Sequence, residues 1–514
     1  MVKSCGLTFM AGFLVLTAWL AVFPSGSWAV VRLPKIFGDH MVLQRNATLP
    51  LWGWADAGEE IIVSIGEQRV TTTADSSGQW KVSLAALREP GPYSMTVTGA
   101  NNSVQFSDIL VGEVWFCSGQ SNMEWQMNNI NQADAEKAAA QFPNIRLFHV
   151  PKKAVSHPES DVDASWKACT PEEIPTFSAV AYFFGREIHE KVKVPVGLIN
   201  CSWGGTRIEP WTPPVGFDGI REVADILTVV QQADSQHKQA VNEALKQYDQ
   251  WLASAKETFA KGSDVEAPPA WPAHPLSSHV APTSLYNGMV HPLVPFAIRG
   301  AIWYQGESNH QEGLLYTWKM KALVEGWRKV WGQGDFPFYY VQLAPYRYQD
   351  PNFLPLIWEA QQKAMDVISK SGMAVVTDLV DNVADIHPRN KKDVGKRLAL
   401  WALKNEYGQS DLPASGPVYQ KMEIEGYRIR LHFTSAEGGL KTRDGKPLDS
   451  FMIAGEDKQF VPAMADFEGE NIISVASESI VQPVAVRFGW NQEAMPNLIN
   501  GAGLPASPFR TDNW

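Results

Sequence analysis

Short stretches in which apolar and polar residues alternate fill the chain over residues 30–107. Ile61–Ile65 and Tyr93–Thr98 both show this period of two, and a third such stretch begins at Trp80, after a turn. Alternation places one set of side chains on a buried face, so each stretch predicts a β-strand. Apolar residues at helical spacing never extend beyond one turn here. We therefore expect residues 30–107 to form a small β-sandwich.

Longer apolar runs separated by helical segments occupy residues 108–407. Runs of four to eight apolar residues between helices predict parallel strands that are covered on both faces. Five such strands fit a doubly wound, flavodoxin-like α/β domain with three layers. The runs are Ile109–Phe116, Val194–Ile199, Ala301–Tyr304, Phe338–Leu343 and Ala374–Thr377.

A long amphipathic helix is predicted within this region. Apolar residues recur at three- and four-residue steps inside Val223–Phe259, and a Pro-rich stretch follows. This pattern predicts a helical insertion over about 218–275. Alternation returns at Tyr427–Phe433 and Val484–Phe488, and it predicts a C-terminal β region over 408–514. The sequence leaves open whether the two β regions form one domain or two.

The first 29 residues have the pattern of a targeting segment. Lys3 is the only charged residue among them, Leu7–Phe23 is apolar, and Ser27–Ala29 offers small residues at a cleavage site. The apolar part is short for a membrane span. We therefore predict a signal peptide at 1–29 and a protein exported to the periplasm or the extracellular space, without membrane attachment after cleavage.

Length, charge and cysteine content limit the number of domains and exclude several kinds of partner and metal site. A chain of 514 residues is too long for one core, so two or three domains are expected. The formal net charge of −11 argues against nucleic acid or an anionic membrane as a partner. After signal cleavage at most one disulfide can form, and the cysteines are too scattered to suggest a zinc site. They are Cys117, Cys169 and Cys201.

Reactive groups in a parallel sheet belong at the carboxyl ends of the strands, and three predicted strand ends carry such groups. Ser121 lies on a tight strand-to-helix turn, which presents a hydroxyl above the sheet, although a helix cap is its alternative role. Gly204 and Gly205 allow the backbone to approach a ligand closely, or form an ordinary tight turn. Gln305 is either a side-chain amide donor or a surface residue without a role.

The last strand end leads to a histidine. Asp385 or Asp381 can accept the Nδ1 proton of His387 and so orient it as a base, although a histidine before proline is also a common turn residue. Together the four strand ends supply a nucleophile, oxyanion donors, a base and an orienting acid. Serine acyl transfer requires this set of groups.

Five motifs resemble the sialate O-acetylesterase family, which belongs to the SGNH hydrolase superfamily and is related to bacterial acetylesterases that act on plant polysaccharides. They are Asp39–Arg45, Cys117–Met123, Gly204–Thr206, Trp303–Asn309 and Asp385–Pro388. The resemblance implies an SGNH-type α/β/α fold and hydrolysis of carbohydrate O-acetyl esters through an acyl-enzyme. It implies neither a metal nor an organic cofactor.

The resemblance also assigns roles to residues. Ser121 would be the nucleophile and His387 the base. The oxyanion hole would consist of the Ser121 N–H, an N–H from Gly204 or Gly205, and the side chain of Gln305.

The position of the triad acid departs from the spacing that is usual in SGNH enzymes. Many SGNH enzymes place it three residues before the histidine, where this chain has Ala384. The family's Asp-Ile-His-Pro motif favours Asp385, which lies two residues before His387. Asp381 and a backbone carbonyl remain alternatives.

Several further residues flank the predicted site. Glu307 would fix Gln305 or Arg207, or would simply be solvated. Arg207 is the one arginine on a predicted active-site loop, so it is the candidate for binding a carboxylate unless Glu209 or Glu307 pairs with it. Four aromatic residues would either form a platform for a sugar ring or pack in the core. They are Trp203, Trp211, Trp303 and Tyr304.

These residues lead to a prediction about substrate. Flat aromatic faces suit neutral sugars, and the acidic balance is mildly unfavourable for an anionic one. We therefore expect an acetylated plant polysaccharide or oligosaccharide, such as xylan or xyloglucan. Sialate 9-O-acetylesterase activity and a non-catalytic carbohydrate-binding protein are the alternatives. The oligomeric state and the hydroxyl position that carries the acetyl group stay open.

Overall fold

The computed structural model of this protein describes residues 30–514, and the predicted signal peptide lies outside the described residues. No helix in the described part is long and apolar enough to cross a membrane. The strands are β1 Val42–Gln44, β2 Leu49–Trp54, β3 Glu60–Ile65, β4 Gln68–Thr73, β5 Gln79–Leu84, β6 Tyr93–Thr98, β7 Ser103–Gly119, β8 Phe142–His149, β9 Trp166–Cys169, β10 Val196–Ser202, β11 Gly300–Tyr304, β12 Phe338–Val341, β13 Ser371–Ala374, β14 Val418–Glu425, β15 Arg428–Thr434, β16 Leu440–Thr442, β17 Phe451–Ala454, β18 Phe460–Pro462, β19 Met464–Phe467, β20 Ile472–Ala476, β21 Ala485–Phe488, β22 Leu498–Asn500 and β23 Phe509–Arg510. The α-helices are α1 Ser121–Glu124, α2 Ala133–Ala138, α3 Ala179–Val192, α4 Pro214–Phe217, α5 Ala224–Ala260, α6 Leu315–Trp331, α7 Phe353–Val367 and α8 Lys391–Glu406.

A central sheet in the order β13-β12-β11-β7-β10-β8-β9 organises the molecule. All pairings along it are parallel except that of β8 with the edge strand β9. Four of the five predicted apolar runs coincide with β7, β10, β11 and β12, whereas the fifth, Ala374–Thr377, shares only Ala374 with β13. Because β10, β11 and β12 are buried along their whole length, their sequences are continuous apolar runs rather than alternating ones.

Helices cover both faces of this sheet. Residues of α3 and α8 share one core with one face, and residues of α6 and α7 share another core with the opposite face. Local signals define the helix ends: the Ser178 hydroxyl accepts from the Ala181 N–H before α3, and Gly332 ends α6 with a φ of 67°. The protein therefore has the predicted α/β/α architecture, with additional small antiparallel sheets.

The N-terminal strands are joined to the central sheet by β7, which has 17 residues. Its first part pairs antiparallel with β6, and its second part lies between β10 and β11. Asp108, with a φ of 52°, lies between the two parts, and its carboxylate is bound by Arg146 and His40. The expected boundary between residues 107 and 108 thus falls inside one continuous strand.

The remaining predicted elements are also present. The amphipathic helix is α5, and the segment that returns from it covers part of its apolar side, where Tyr248 contacts Trp271. The C-terminal strands pack around a core of their own. The three cysteines are free and buried, as small apolar side chains at strand ends would be. Burial raises the pKa of the Cys169 thiol to about 12.

Candidate active site

The turn after β7 places Ser121 at the start of α1. Gly119 has a φ of 144°, and a Cβ there would lie 2.2 Å from the carbonyl oxygen of Tyr304 on β11. Only glycine therefore allows β7 to end this close to its neighbour. The N–H of Ser121 donates to no acceptor among the described residues. Both the hydroxyl and the N–H of Ser121 are thus available at the carboxyl end of the sheet.

His387 lies against this turn from the segment before α8. Its Nε2 is 2.9 Å from the Ser121 hydroxyl oxygen, and its ring stacks on Trp125 with centroids 4.6 Å apart. Burial and the nearby Lys391 lower the pKa of His387, and Asp385 acts in the opposite direction. The imidazole is therefore neutral at neutral pH, the state in which Nε2 can take a proton from a hydroxyl.

Asp385 is the nearest carboxylate to His387, but the contact is loose. Its Oδ1 lies 3.8 Å from Nδ1 of His387 and accepts the backbone N–H of the same residue at 2.9 Å. Asp381 is exposed and makes no contact with His387 among the described residues. The geometry favours Asp385 over Asp381 as the acid, through electrostatic attraction rather than a direct hydrogen bond.

The two glycines of the next strand end differ in their surroundings. A Cβ on Gly204 would lie 3.1 Å from the Cβ of Ser121, so this backbone passes directly beside Ser121. The Gly204 N–H donates to Oε2 of Glu124 at 2.6 Å, and Glu124 also pairs with Lys152. The N–H of Gly205 has no acceptor among the described residues. Gly205 and Ser121 therefore each have a backbone N–H without an acceptor among the described residues, whereas that of Gly204 is engaged.

Gln305 does not offer the free amide that we predicted. Its side chain is fully buried, and its Nε2 donates to the Thr206 carbonyl at 3.0 Å and to Oδ1 of Asn309 at 2.8 Å. Its Oε1 accepts from the Tyr316 hydroxyl at 2.7 Å. Because both amide hydrogens are engaged, Gln305 ties the loops together in this structure and has no hydrogen left for an oxyanion.

Three of the four predicted platform residues are core residues instead. Trp211, Trp303 and Tyr304 are each at most 1% exposed, and Trp211 packs edge-on against Trp303. Trp203 alone is partly exposed, and it stacks on His279 with centroids 5.3 Å apart. The prediction missed Trp125, which is also partly exposed and supports His387.

Glu307 binds neither Gln305 nor Arg207. It is buried, and its Oε1 accepts from Nδ2 of Asn122 at 2.5 Å, while Oδ1 of Asn122 accepts from Nζ of Lys391 at 2.5 Å. Burial raises the pKa of Glu307 and lowers the pKa of Lys391 to about 7. A buried polar network therefore lies directly behind the Ser121–His387 pair.

Arg207 belongs to a cluster of charges rather than to an open binding site. Its guanidinium pairs with Glu209 and Glu312, and both carboxylates also pair with Lys319. Although burial raises the pKa of Glu209, Lys319 and Arg207 together hold it below its usual value. Arg207 is thus already neutralised by the pairing with Glu209 that we considered, with Glu312 as a second partner.

One group of side chains in the described residues has ligand atoms close enough for a metal ion. Asp234, His157 and His274 have such atoms within 4.8 Å of one another. Nδ1 of His274 accepts the Leu276 N–H, so its Nε2 has the proton and donates it to Asp234. This hydrogen-bonding pattern opposes ligation through Nε2. Asp234 and His274 belong to the helical insertion, and His157 belongs to the loop between β8 and β9.

The residues that we did not predict have weak sequence signals. Glu124 and Trp125 lie within one turn of Ser121, directly after the Cys117–Met123 motif. Lys391 lies four residues after His387, one turn further along the chain. Proximity to a predicted catalytic residue was the only signal for these three side chains.

Known proteins resemble this chain along most of its length. The profile of one family, described as carbohydrate esterase, sialic acid-specific acetylesterase, matches residues 111–263 and 268–404. A sialate O-acetylesterase of Rattus norvegicus is 28% identical over 543 residues, which cover 96% of this chain and 97% of the relative. The sialate O-acetylesterase of Homo sapiens is 27% identical, with 93% of this chain and 92% of the relative covered.

A solved structure is similar as well. A carbohydrate acetylesterase from Xanthomonas citri superposes with a TM-score of 0.79 and is 35% identical. The alignment covers 94% of this chain and all of that protein. The similarity therefore includes the β regions at both ends as well as the central domain.

Proposed function

The chain belongs to the carbohydrate esterase family of sialic acid-specific acetylesterases, and from this membership and the geometry of the site we propose that it removes acetyl groups from O-acetylated carbohydrate by serine catalysis. As a member it is a carboxylic ester hydrolase. The observation that carries the mechanism is the 2.9 Å contact between the Ser121 hydroxyl and Nε2 of His387. It joins a nucleophile and a base from two strand ends of one sheet.

In the proposed first half-reaction, Oγ of Ser121 attacks the acetyl carbonyl carbon while Nε2 of His387 takes the hydroxyl proton. The free N–H groups of Ser121 and Gly205 stabilise the negative oxygen of the tetrahedral intermediate. His387 then gives its proton to the sugar oxygen as the C–O bond breaks. Acetyl-Ser121 and a free sugar hydroxyl result.

In the second half-reaction, water attacks the acetyl-enzyme. His387 takes a proton from the water, and the second tetrahedral intermediate collapses with return of that proton to Oγ of Ser121. Acetate leaves, and the enzyme is restored. Asp385 stabilises the imidazolium in both halves, because its carboxylate is the nearest negative charge to Nδ1.

For the substrate we propose a neutral acetylated polysaccharide or oligosaccharide. Arg207 supports this choice because Glu209 and Glu312 already neutralise it, so it offers no free charge to a sialic acid carboxylate. Trp203 supports it as well, because a partly exposed indole beside the oxyanion loop suits a neutral sugar ring. We also propose export, since an enzyme that acts on polymers must meet them outside the cell.

The test is acetate release from acetylated xylan, acetylated xyloglucan and 9-O-acetylated sialic acid by the purified enzyme. Ser121→Ala removes the nucleophile, and Ser156→Ala, which loses only an exposed hydrogen bond to the neighbouring His157, is the matched control. We expect release from the neutral polymers by the wild type and the control but not by Ser121→Ala. A preference for 9-O-acetylated sialic acid would refute the proposed substrate. Activity of Ser121→Ala equal to that of the wild type would refute the proposed mechanism.

A further inference from the structure

Lys391 occupies a place that is unfavourable for a lysine in two respects. Its side chain is fully buried, and it is the first residue of α8, where the helix dipole disfavours a positive charge. No carboxylate in the described part of the chain forms an ion pair with it. Its ammonium lies instead between aromatic rings, 5.6 Å from the centroid of Trp125 and 5.4 Å from that of Tyr304. Such an energetically unfavourable placement indicates that the positive charge of Lys391 has a function.

Within the described residues, the one hydrogen bond of the Lys391 ammonium leads to the residue that connects the two catalytic segments. Its Nζ donates to Oδ1 of Asn122, which directly follows Ser121 in the chain. Nδ2 of Asn122 donates to the carbonyl of Ile386, directly before His387, at 3.0 Å. Asn122 therefore links the nucleophile turn to the base loop.

The ammonium also determines which way the amide of Asn122 faces. A lysine ammonium has only donors, so it selects the oxygen of the amide and turns Nδ2 toward the other side. There Nδ2 finds two acceptors, the Ile386 carbonyl and Glu307. Without a donor at this position, the oxygen of Asn122 would be buried and unsatisfied, and the amide would lose its fixed orientation.

We infer that Lys391 is a positioning residue for ester hydrolysis, which holds His387 against Ser121 through Asn122 and whose positive charge disfavours protonation of the base. This inference rests on the proposed function of Ser121 and His387. Trp125 contacts both the Lys391 ammonium and the His387 ring, which places the charge in the neighbourhood of the base. The lowered pKa of His387, for which Lys391 is one cause, is consistent with this role.

The test is the pH dependence of kcat/KM for p-nitrophenyl acetate in Lys391→Met, which keeps the length of the side chain but removes its charge and its donors. Lys396→Met is the control, because this lysine lies on the same helix and its side chain is 44% exposed. We expect the activity of Lys391→Met to fall by roughly 10- to 100-fold. The acid limb of its pH profile, where kcat/KM rises as His387 loses its proton, should move up by about 0.5–1 pH unit. The reason is that loss of a nearby positive charge raises the pKa of His387.

A loss of rate with an unmoved acid limb would overturn the inference, because a merely structural lysine gives that result. Asn122→Ala separates positioning from the effect of charge. It removes the link between the two segments but keeps the charge of Lys391, so kcat/KM should fall while the acid limb of the pH profile stays in place. The double variant should be no slower than the slower single variant. If Lys391→Met does not fold, an Asn122→Ala enzyme with the wild-type rate still refutes the inference. Failure of the proposed function is a different result, namely Ser121→Ala with wild-type activity.

Discussion

Replacing Asp385 by asparagine tests how the base is oriented. Two unit charges 3.8 Å apart, the distance between Oδ1 of Asp385 and Nδ1 of His387, attract by about 1 kcal/mol in bulk water and by about 4 kcal/mol at an effective dielectric constant of about 20. The Asp385 side chain is 41% exposed, so solvent screening places the attraction toward the lower value, about 1–2 kcal/mol. We therefore expect Asp385→Asn to lower kcat/KM by roughly 5- to 30-fold, far less than the roughly 10⁴-fold loss known for a buried, hydrogen-bonded acid.

The assay is hydrolysis of p-nitrophenyl acetate over a pH series. The wild-type profile should rise through a pKa below the ordinary imidazole value of 6.5. Because Asp385 raises the pKa of His387, its loss should move this limb to still lower pH. Asp381→Asn is the matched control and should leave both the rate and the limb unchanged. A loss at Asp381 equal to that at Asp385, or a limb that moves upward, would refute the reasoning.

Three further variants test the rest of the site. Ser121→Ala should stay folded and lose roughly three to six decades of esterase activity, and retention of more than a tenth of the rate would exclude Ser121 as nucleophile. Gln305→Ala should lower the melting temperature, since each buried group left unpaired costs about 1–3 kcal/mol, with less than a tenfold change in kcat. A loss of two or three decades in kcat at unchanged stability would instead restore Gln305 as an oxyanion donor. Arg207→Ala should affect p-nitrophenyl acetate and acetylated sialic acid equally, and a loss confined to sialic acid would identify a carboxylate clamp.

The strands and the Ser121–His387 contact were predictable because they depend on pattern and topology. Continuous apolar runs between helices define parallel strands, and the carboxyl ends of parallel strands meet at one edge. Ser121 and His387 are 266 residues apart in the chain, yet both follow strands of this sheet. The direction of the strands brings both residues to one edge of the sheet, and the segment between β13 and α8 then carries His387 past β12 and β11 to Ser121.

The directions of individual side chains were not predictable in this way. Trp303 and Tyr304 are consecutive residues of β11, and they point to opposite faces, each into a different buried core. Gln305 continues this strand and turns into the network of Asn309 and Tyr316. Which side of a strand end faces solvent depends on the loops packed above it, and Lys391 reaches Asn122 only through such packing.

The continuous strand β7 has a consequence for how this enzyme can be divided. One end of β7 pairs in the N-terminal sheet, and the other ends at the nucleophile turn. A truncation before residue 108 would cut a covalently continuous element and remove β1, the strand that pairs with Leu110–Gly112 of β7. Recombination of the N-terminal region with that of another protein would have to preserve the register of β7 along its whole length. The N-terminal strands that pair with β7 are thus a fixed part of the scaffold rather than an exchangeable module.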